Sequence, residues 1–165
     1  MKSFSARPIV GLTLGVIATL ITMLTLLKSH VSFLGFWSTE AHDQRSLDLV
    51  LFNNWVHPSI WYGPITNTVG NVAMFMPVGF LLYFLFRRRS LPIITVIGFC
   101  TSLCIEVAQY AFAVGYSDVD DLLFNTLGTL LGGWLALKLP PTWRGPIIAL
   151  ILCGSLTVVS ILIAS

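Results

Sequence analysis

The sequence predicts an all-α, polytopic membrane helix bundle, and three observations predict it. Hydrophobic residues make up 56% of the 165 residues, charged residues only 10%, and the mean hydropathy is +0.87. A soluble domain carries about a quarter charged residues because its surface faces water. This chain could not cover itself with polar groups, and disorder and collagen-like repeats are excluded with the soluble class. Apolar runs of about 20 residues recur, the length a helix rising 1.5 Å per residue needs to cross about 30 Å of hydrocarbon. The Lys and Arg residues, finally, fall mostly between alternate runs, as they do when they mark cytoplasmic loops.

Five spans are expected. Pro8 to Leu27 follows Lys2 and Arg7; it is too long for a signal sequence and lacks a small-residue cleavage site. Thr68 to Phe86 contains Pro77 and Gly79, which can kink it. Leu91 to Phe112 follows Arg87, Arg88, Arg89 and Ser90, a link so short that the two spans form a tight hairpin, with Pro92 in the first turn of the second. Val119 to Leu139 carries Asp120, Asp121 and Asn125 in its first two turns and is otherwise apolar, and Pro146 to Ala164 is the last. With the N-terminus cytoplasmic, seven of the nine Lys and Arg lie inside and only Lys28 and Arg45 outside, so the C-terminus is outside.

The chain is read as one membrane domain over residues 1–165, in which residues 28–67 form an outer interfacial loop. That loop is rich in aromatic residues, Phe33, Phe36, Trp37, Phe52, Trp55, Trp61 and Tyr62, which favour the headgroup level. Leu47, Val50, Leu51 and Trp55 recur at helical spacing, predicting a short amphipathic helix between Arg45 and Val56; a plain solvated connection is the alternative.

Polar groups inside spans carry the functional signal, because a charge at mid-bilayer costs about 2.5 to 3.5 kcal/mol on insertion scales. Glu106 lies six residues before the end of its span, about 9 Å along the helix, with Ser102 and Gln109 on the same face. After the turn Ala113 to Ser117, Asp118, Asp121 and Asn125 are spaced three and four apart and share a face. Asn67 and Asn71, one turn apart, supply a third polar edge at the same depth. The topology therefore gathers an oxygen-rich site beneath the outer headgroups: Asn71, Glu106, Gln109, Asp118, Asp121 and Asn125 are the ligand-binding candidates. Simpler roles compete. Asp118 and Asp120 can serve as helix caps, and Glu106, Gln109 and Asn125 can tie helices together. Gly128, Gly132 and Gly133 permit close helix contact.

No cofactor or metal is expected. Asp118-Val119-Asp120-Asp121 starts like a calcium loop but has Leu122 and Leu123 where a ligand and Gly are needed, and His30, His42 and His57 lack ligand spacing. Cys100, Cys104 and Cys153 sit in apolar runs and act as small hydrophobes. The net charge of +2 gives no surface for a nucleic acid.

The stretches Asn71-Val-Ala-Met-Phe-Met-Pro-Val-Gly-Phe-Leu-Leu, Glu106-Val-Ala-Gln109-Tyr and Asp118-Val-Asp120-Asp121-Leu-Leu-Phe-Asn125-Thr-Leu-Gly128 resemble the VanZ-like family of small bacterial membrane proteins. Arg45-Ser-Leu-Asp48-Leu-Val is similar too, with Asp48 where an Asn is usual, and the resemblance runs from about Arg45 to Leu139. Many members carry an Arg in the turn that here reads Ala-Val-Gly-Tyr-Ser, so the cation that an anion-binding turn needs is missing. The resemblance implies a multi-pass protein of the bacterial cytoplasmic membrane, in a family whose founder is associated with low-level resistance to the glycopeptide teicoplanin.

These readings favour a non-enzymatic envelope protein that binds a membrane lipid or a lipid-linked envelope precursor in the outer leaflet; its oligomeric state is not encoded here. The alternative is an intramembrane hydrolase or transferase acting on a lipid-linked sugar or phosphate, with Glu106 and Asp121 as the catalytic candidates. A cation or proton carrier would need a polar route to the cytoplasm, and only Ser102 and Thr101 lie along it.

Overall fold

The computed structural model describes residues 7–26, 46–56, 58, 60–86, 90–114 and 116–164. Its order is α1 (Arg7–Leu26), β1 (Ser46–Asp48), α2 (Asn53–Val56), α3 (Gly63–Leu85), α4 (Leu91–Phe112), β2 (Tyr116–Asp118), α5 (Val119–Lys138) and α6 (Pro141–Ala164). Among the described residues four helices are long and apolar enough to cross a membrane: α1, α3, α4 and α6. α5 is 20 residues long, so it rises about 30 Å, but it carries acids at its start and Lys138 at its end.

α3 and α6 each begin about five residues before the predicted spans, because Pro64 and Pro141 fit a first helical turn, where a missing N–H costs nothing. The earlier start of α3 puts Asn67 inside the helix. The predicted helix between Arg45 and Val56 is replaced by the strand β1, a turn and the four residues of α2. Leu47, Val50 and Leu51 are spaced for a helix, but Ser46 to Asp48 pairs in parallel with Tyr116 to Asp118 instead, Leu47 opposite Ser117. Phe52 then takes a left-handed φ of 61°, which separates that stretch from the single turn of α2. Phe33, Phe36, Trp37, His30, His42, His57 and the Arg87 to Arg89 run lie outside the described residues.

α3 is the central helix and packs most extensively against α5. Between them there is no room for side chains: a Cβ on Gly132 would fall on the Met76 carbonyl, one on Gly128 on that of Val72, and one on Gly79 on that of Thr129. Small residues thus let the backbones touch, the packing that replaces the hydrophobic effect between helices in lipid. The apolar core, with Phe75, Phe80 and Leu81 of α3, Val10 and Ile17 of α1 and Ile94 of α4, fills the half of the bundle away from the α4–α5 corner. Lys and Arg follow the same division. Among the described residues Arg7, Lys138 and Arg144 sit at the helix ends far from that corner, whereas Asp48, Glu106, Asp118, Asp120 and Asp121 all sit near it.

A candidate polar cavity at the α4 to α5 corner

The first turn of α5 places its acids in different directions. Asp118 precedes the helix, with extended φ of −131° and ψ of 129°, and caps it: its Oδ1 accepts from the Asp120 N–H at 2.8 Å. Its Oδ2 accepts from Asn54 Nδ2 at 3.0 Å. Asp120, 2% exposed, accepts the Phe52 N–H on both oxygens, at 2.9 and 3.0 Å. The Phe52 ring meets Phe124 edge-on at 6.4 Å. Together with the β1–β2 pairing, these contacts fasten residues 46–56 to the corner. Asp48 completes the turn by accepting from Asn53 Nδ2 at 2.7 Å and from the Val50 N–H at 2.9 Å. Those bonds hold its carboxyl below the usual carboxylate range. Asp118 is shifted the other way. Burial pushes it up to about 6 against the bond from Asp120 N–H, and the neighbouring Asp121, Asp120 and Asp48 add to the rise.

Asp121 points elsewhere. Its Oδ1 accepts from Asn67 Nδ2 at 2.7 Å and from Asn71 Nδ2, so the two amides one turn apart on α3 converge on one carboxylate of α5. Because a carboxylate oxygen only accepts, each amide must present its nitrogen. Glu106 is buried and fixed at the corner: its Oε2 accepts from the Asp118 N–H at 2.9 Å, and its backbone carbonyl accepts from the Ser117 hydroxyl at 3.1 Å. Asn125 Nδ2 donates to Ser102 Oγ at 2.9 Å. Gln109 Nε2 donates at 3.3 Å to the backbone carbonyl of Thr25, near the end of α1. That carbonyl can only accept, so it is the Gln109 oxygen that is left over.

Asn67, Asn71, Glu106, Gln109, Asp121 and Asn125 all line one cavity of about 670 Å³. Its apolar wall comes from Leu20 and Leu24 of α1, Met74 of α3, Ile105 of α4 and Val158 of α6; with Asp121 and Asn125 of α5, all five long helices contribute. Gln109 is 5% and Asn125 3% exposed, and Gln109 Oε1 and Asn125 Oδ1 are buried without a hydrogen-bond partner. A buried acceptor left unmade costs about 1–3 kcal/mol. Among the described lining residues there is no Lys, Arg or His, and no group of three or more His, Cys, Asp and Glu among the described residues could hold a metal ion.

Five of the six ligand-binding candidates therefore come together: Asn71, Glu106, Gln109, Asp121 and Asn125. Asp118 does not join them. The expected shared face with Asp121 assumed a helix running through both, but α5 starts only at Val119, and the extended backbone of Asp118 turns its carboxylate to Asn54. With Leu47, Leu103, Tyr110 and Leu122 it lines a smaller, largely apolar pocket of about 280 Å³, to which Glu106 also contributes. The sequence left Asn67 outside the candidate set although its spacing to Asn71 was visible. Thr25 had no signal at all, because its part is played by a backbone carbonyl.

An α-helical bundle with membrane-length helices and a polar cavity at one end defines the class: an integral membrane protein with a recess inside the bundle. The particular family follows from comparison with known proteins. A family model described as VanZ/LLP1 matches residues 14–140, and the chain belongs to that family. It is 33% identical over 109 residues to Protein VanZ of Enterococcus faecium, an alignment that covers 66% of this chain and 62% of that protein. The chain thus spans less than two thirds of that relative's length. No solved structure matches it.

Proposed function

We propose that the chain crosses the bacterial cytoplasmic membrane five times, with its N-terminus inside and its C-terminus outside, and that its cavity takes the head of an amphiphile from the outer leaflet. The alternation of helix ends supports five crossings: the cavity is walled by the late turns of α1, α4 and α6 and the early turns of α3 and α5. The placement of Arg7, Lys138 and Arg144 at the opposite end supports the orientation. Exposed Trp55, Trp61 and Tyr62, which precede the cavity end of α3 in the chain, suit the outer headgroup level.

The observation that carries the reading is the convergence of polar side chains from α3, α4 and α5 on one cavity of about 670 Å³, a size suited to a small-molecule group. Scaffolding alone would pair these groups with one another, yet two buried oxygens remain unpartnered. Kinship with a VanZ protein, of the family associated with teicoplanin resistance, makes tolerance of that lipid-tailed glycopeptide the cellular readout. The test is the pair Glu106→Gln and Asp121→Asn, assayed for lipid co-purified with the protein and for glycopeptide tolerance of cells expressing it. Loss of both is expected; if both persist at wild-type level in well-folded variants, the reading fails.

A further inference from the structure

The chemistry of the cavity's wall restricts what can enter it. Gln109 Oε1 and Asn125 Oδ1 are buried acceptors without partners, on side chains 5% and 3% exposed. The orientation of Gln109 is fixed by chemistry, because only its nitrogen can meet the Thr25 carbonyl. Asn125 spends its nitrogen on Ser102. Beside them stand two carboxyl side chains, Glu106 from α4 and Asp121 from α5, and no described lining residue is Lys, Arg or His. Two buried oxygens of this wall therefore lack a donor, and its two carboxyl groups have no cation beside them among the described lining residues.

We propose that the cavity selects a head that donates hydrogen bonds, through N–H or O–H groups on a neutral or cationic centre, and rejects an anionic head. This rests on the amphiphile-binding reading above and adds the class of head to it. An ammonium or a set of sugar hydroxyls supplies the donors that Gln109 and Asn125 lack and places positive or neutral chemistry next to Glu106. A phosphate or carboxylate brings only acceptors, so it leaves the Gln109 and Asn125 oxygens unmet, and it meets like-charge repulsion from Glu106 and Asp121 in addition. Two sources offer donors of this kind: an aminolipid and a glycolipid.

Matched lipids separate donor chemistry from charge. The full-length chain, purified in detergent, is titrated with phosphatidylethanolamine against phosphatidylcholine, which share a phosphate and a cationic nitrogen but differ in N–H donors. A glucosyl-diacylglycerol is titrated against diacylglycerol, and phosphatidic acid serves as the anionic head. Bound lipid is counted by native mass spectrometry. One charge-assisted hydrogen bond gained corresponds to about tenfold in affinity, so a preference of about tenfold or more is expected within one of the matched pairs, and the pair that shows it names the source. Equal binding of the members of both pairs, or a preference for phosphatidic acid, overturns the donor rule while leaving amphiphile binding in place. If no lipid binds in any arm, both readings fall. Gln109→Lys supplies an ammonium from within the cavity and is expected to erase the preference; its thermal unfolding reports the fold, and the matched lipids on the wild-type chain decide the case whether or not it folds.

Discussion

Replacing Asp120 by Ala isolates the contact that holds residues 46–56 to the bundle. The Phe52 N–H lies 2.9 and 3.0 Å from the two carboxylate oxygens, and Asp120 is 2% exposed. A hydrogen bond to a charged group contributes about 1.5–3 kcal/mol. Two smaller terms oppose each other. Phe52 holds a left-handed φ of 61°, which costs a non-glycine residue about 1–2 kcal/mol and is recovered if the turn relaxes. Relaxation also surrenders the edge-on contact with Phe124 at 6.4 Å, which is about 0.5–1.5 kcal/mol. These nearly cancel, and the loss stays near the strength of the hydrogen bond. Amide hydrogen exchange at Phe52, measured in detergent micelles, should accelerate by roughly 10- to 150-fold, since each 1.4 kcal/mol is a factor of ten. Asp120→Asn keeps one acceptor, and a neutral bond is about 0.5–1.5 kcal/mol, so its acceleration should be clearly smaller. Exchange at Phe52 that changes by less than about threefold in Asp120→Ala would contradict the assignment, because one 1.5 kcal/mol bond already predicts about tenfold.

Phe52→Gly relieves the left-handed strain while losing the ring contact, so its thermal stability should lie near wild type, whereas Phe52→Ala keeps the strain, loses the contact and should be less stable than Phe52→Gly by about 1 kcal/mol; the reverse order would remove strain from the account. Gly132→Ala drives a methyl into the Met76 carbonyl and should lower the unfolding temperature sharply, while Gly154→Ala, with open space around it, should be neutral or stabilising by up to about 1 kcal/mol, as a thermal scan of both in one detergent will show. Asp118 has a folded pKa of about 6 against its ordinary 3.8, so folding takes up a proton between those values. Its contribution to stability is fully present below about pH 4 and is lost as pH rises through about 6; the difference in unfolding temperature between wild type and Asp118→Asn should therefore change across that window and be flat above it.

The helices were legible because their signal is both long and local. α4 was read with its observed limits, Leu91 and Phe112, and α5 within one residue at its end, since an apolar run that must satisfy its own backbone in lipid has only one solution. The convergence of Asn71, Glu106, Gln109, Asp121 and Asn125 was legible for the same reason, because a residue's depth follows from its distance to a helix end. What escaped was everything set by contacts across the chain. Nothing near Leu47 announces that Ser117 will lie opposite it, and nothing near Phe52 announces a left-handed backbone whose amide finds an acid 68 residues away. Asp120 read as a cap because caps are local; its partner was not. Asp118 was misplaced for a geometric reason, since three- and four-residue spacing means a shared face only inside a helix, and the helix begins one residue later.

The acids that read as one anionic cluster thus divide into separate tasks. Successive side chains on a helix are turned by about 100°, so Asp120 and Asp121 face different ways even though they are neighbours. One carboxylate holds the 46–56 segment and the other gathers Asn67 and Asn71. Glu106 links the two sides. It lines the polar cavity and the smaller pocket alike, and its Oε2 is held by the N–H of Asp118, the residue that also binds Asn54. A change that frees the segment should therefore be felt at the cavity through Glu106, with no direct contact between the segment's side chains and the cavity needed. The comparison of Asn54→Ala with Asp120→Ala tests this. Asn54→Ala removes the partner of Asp118, and Asp120→Ala removes the anchor of Phe52; if Glu106 carries the coupling, Asn54→Ala should weaken lipid retention more than its smaller effect on Phe52 exchange would suggest. Retention that simply tracks release of the Phe52 amide in both variants would show that the segment, and not Glu106, is the connecting element.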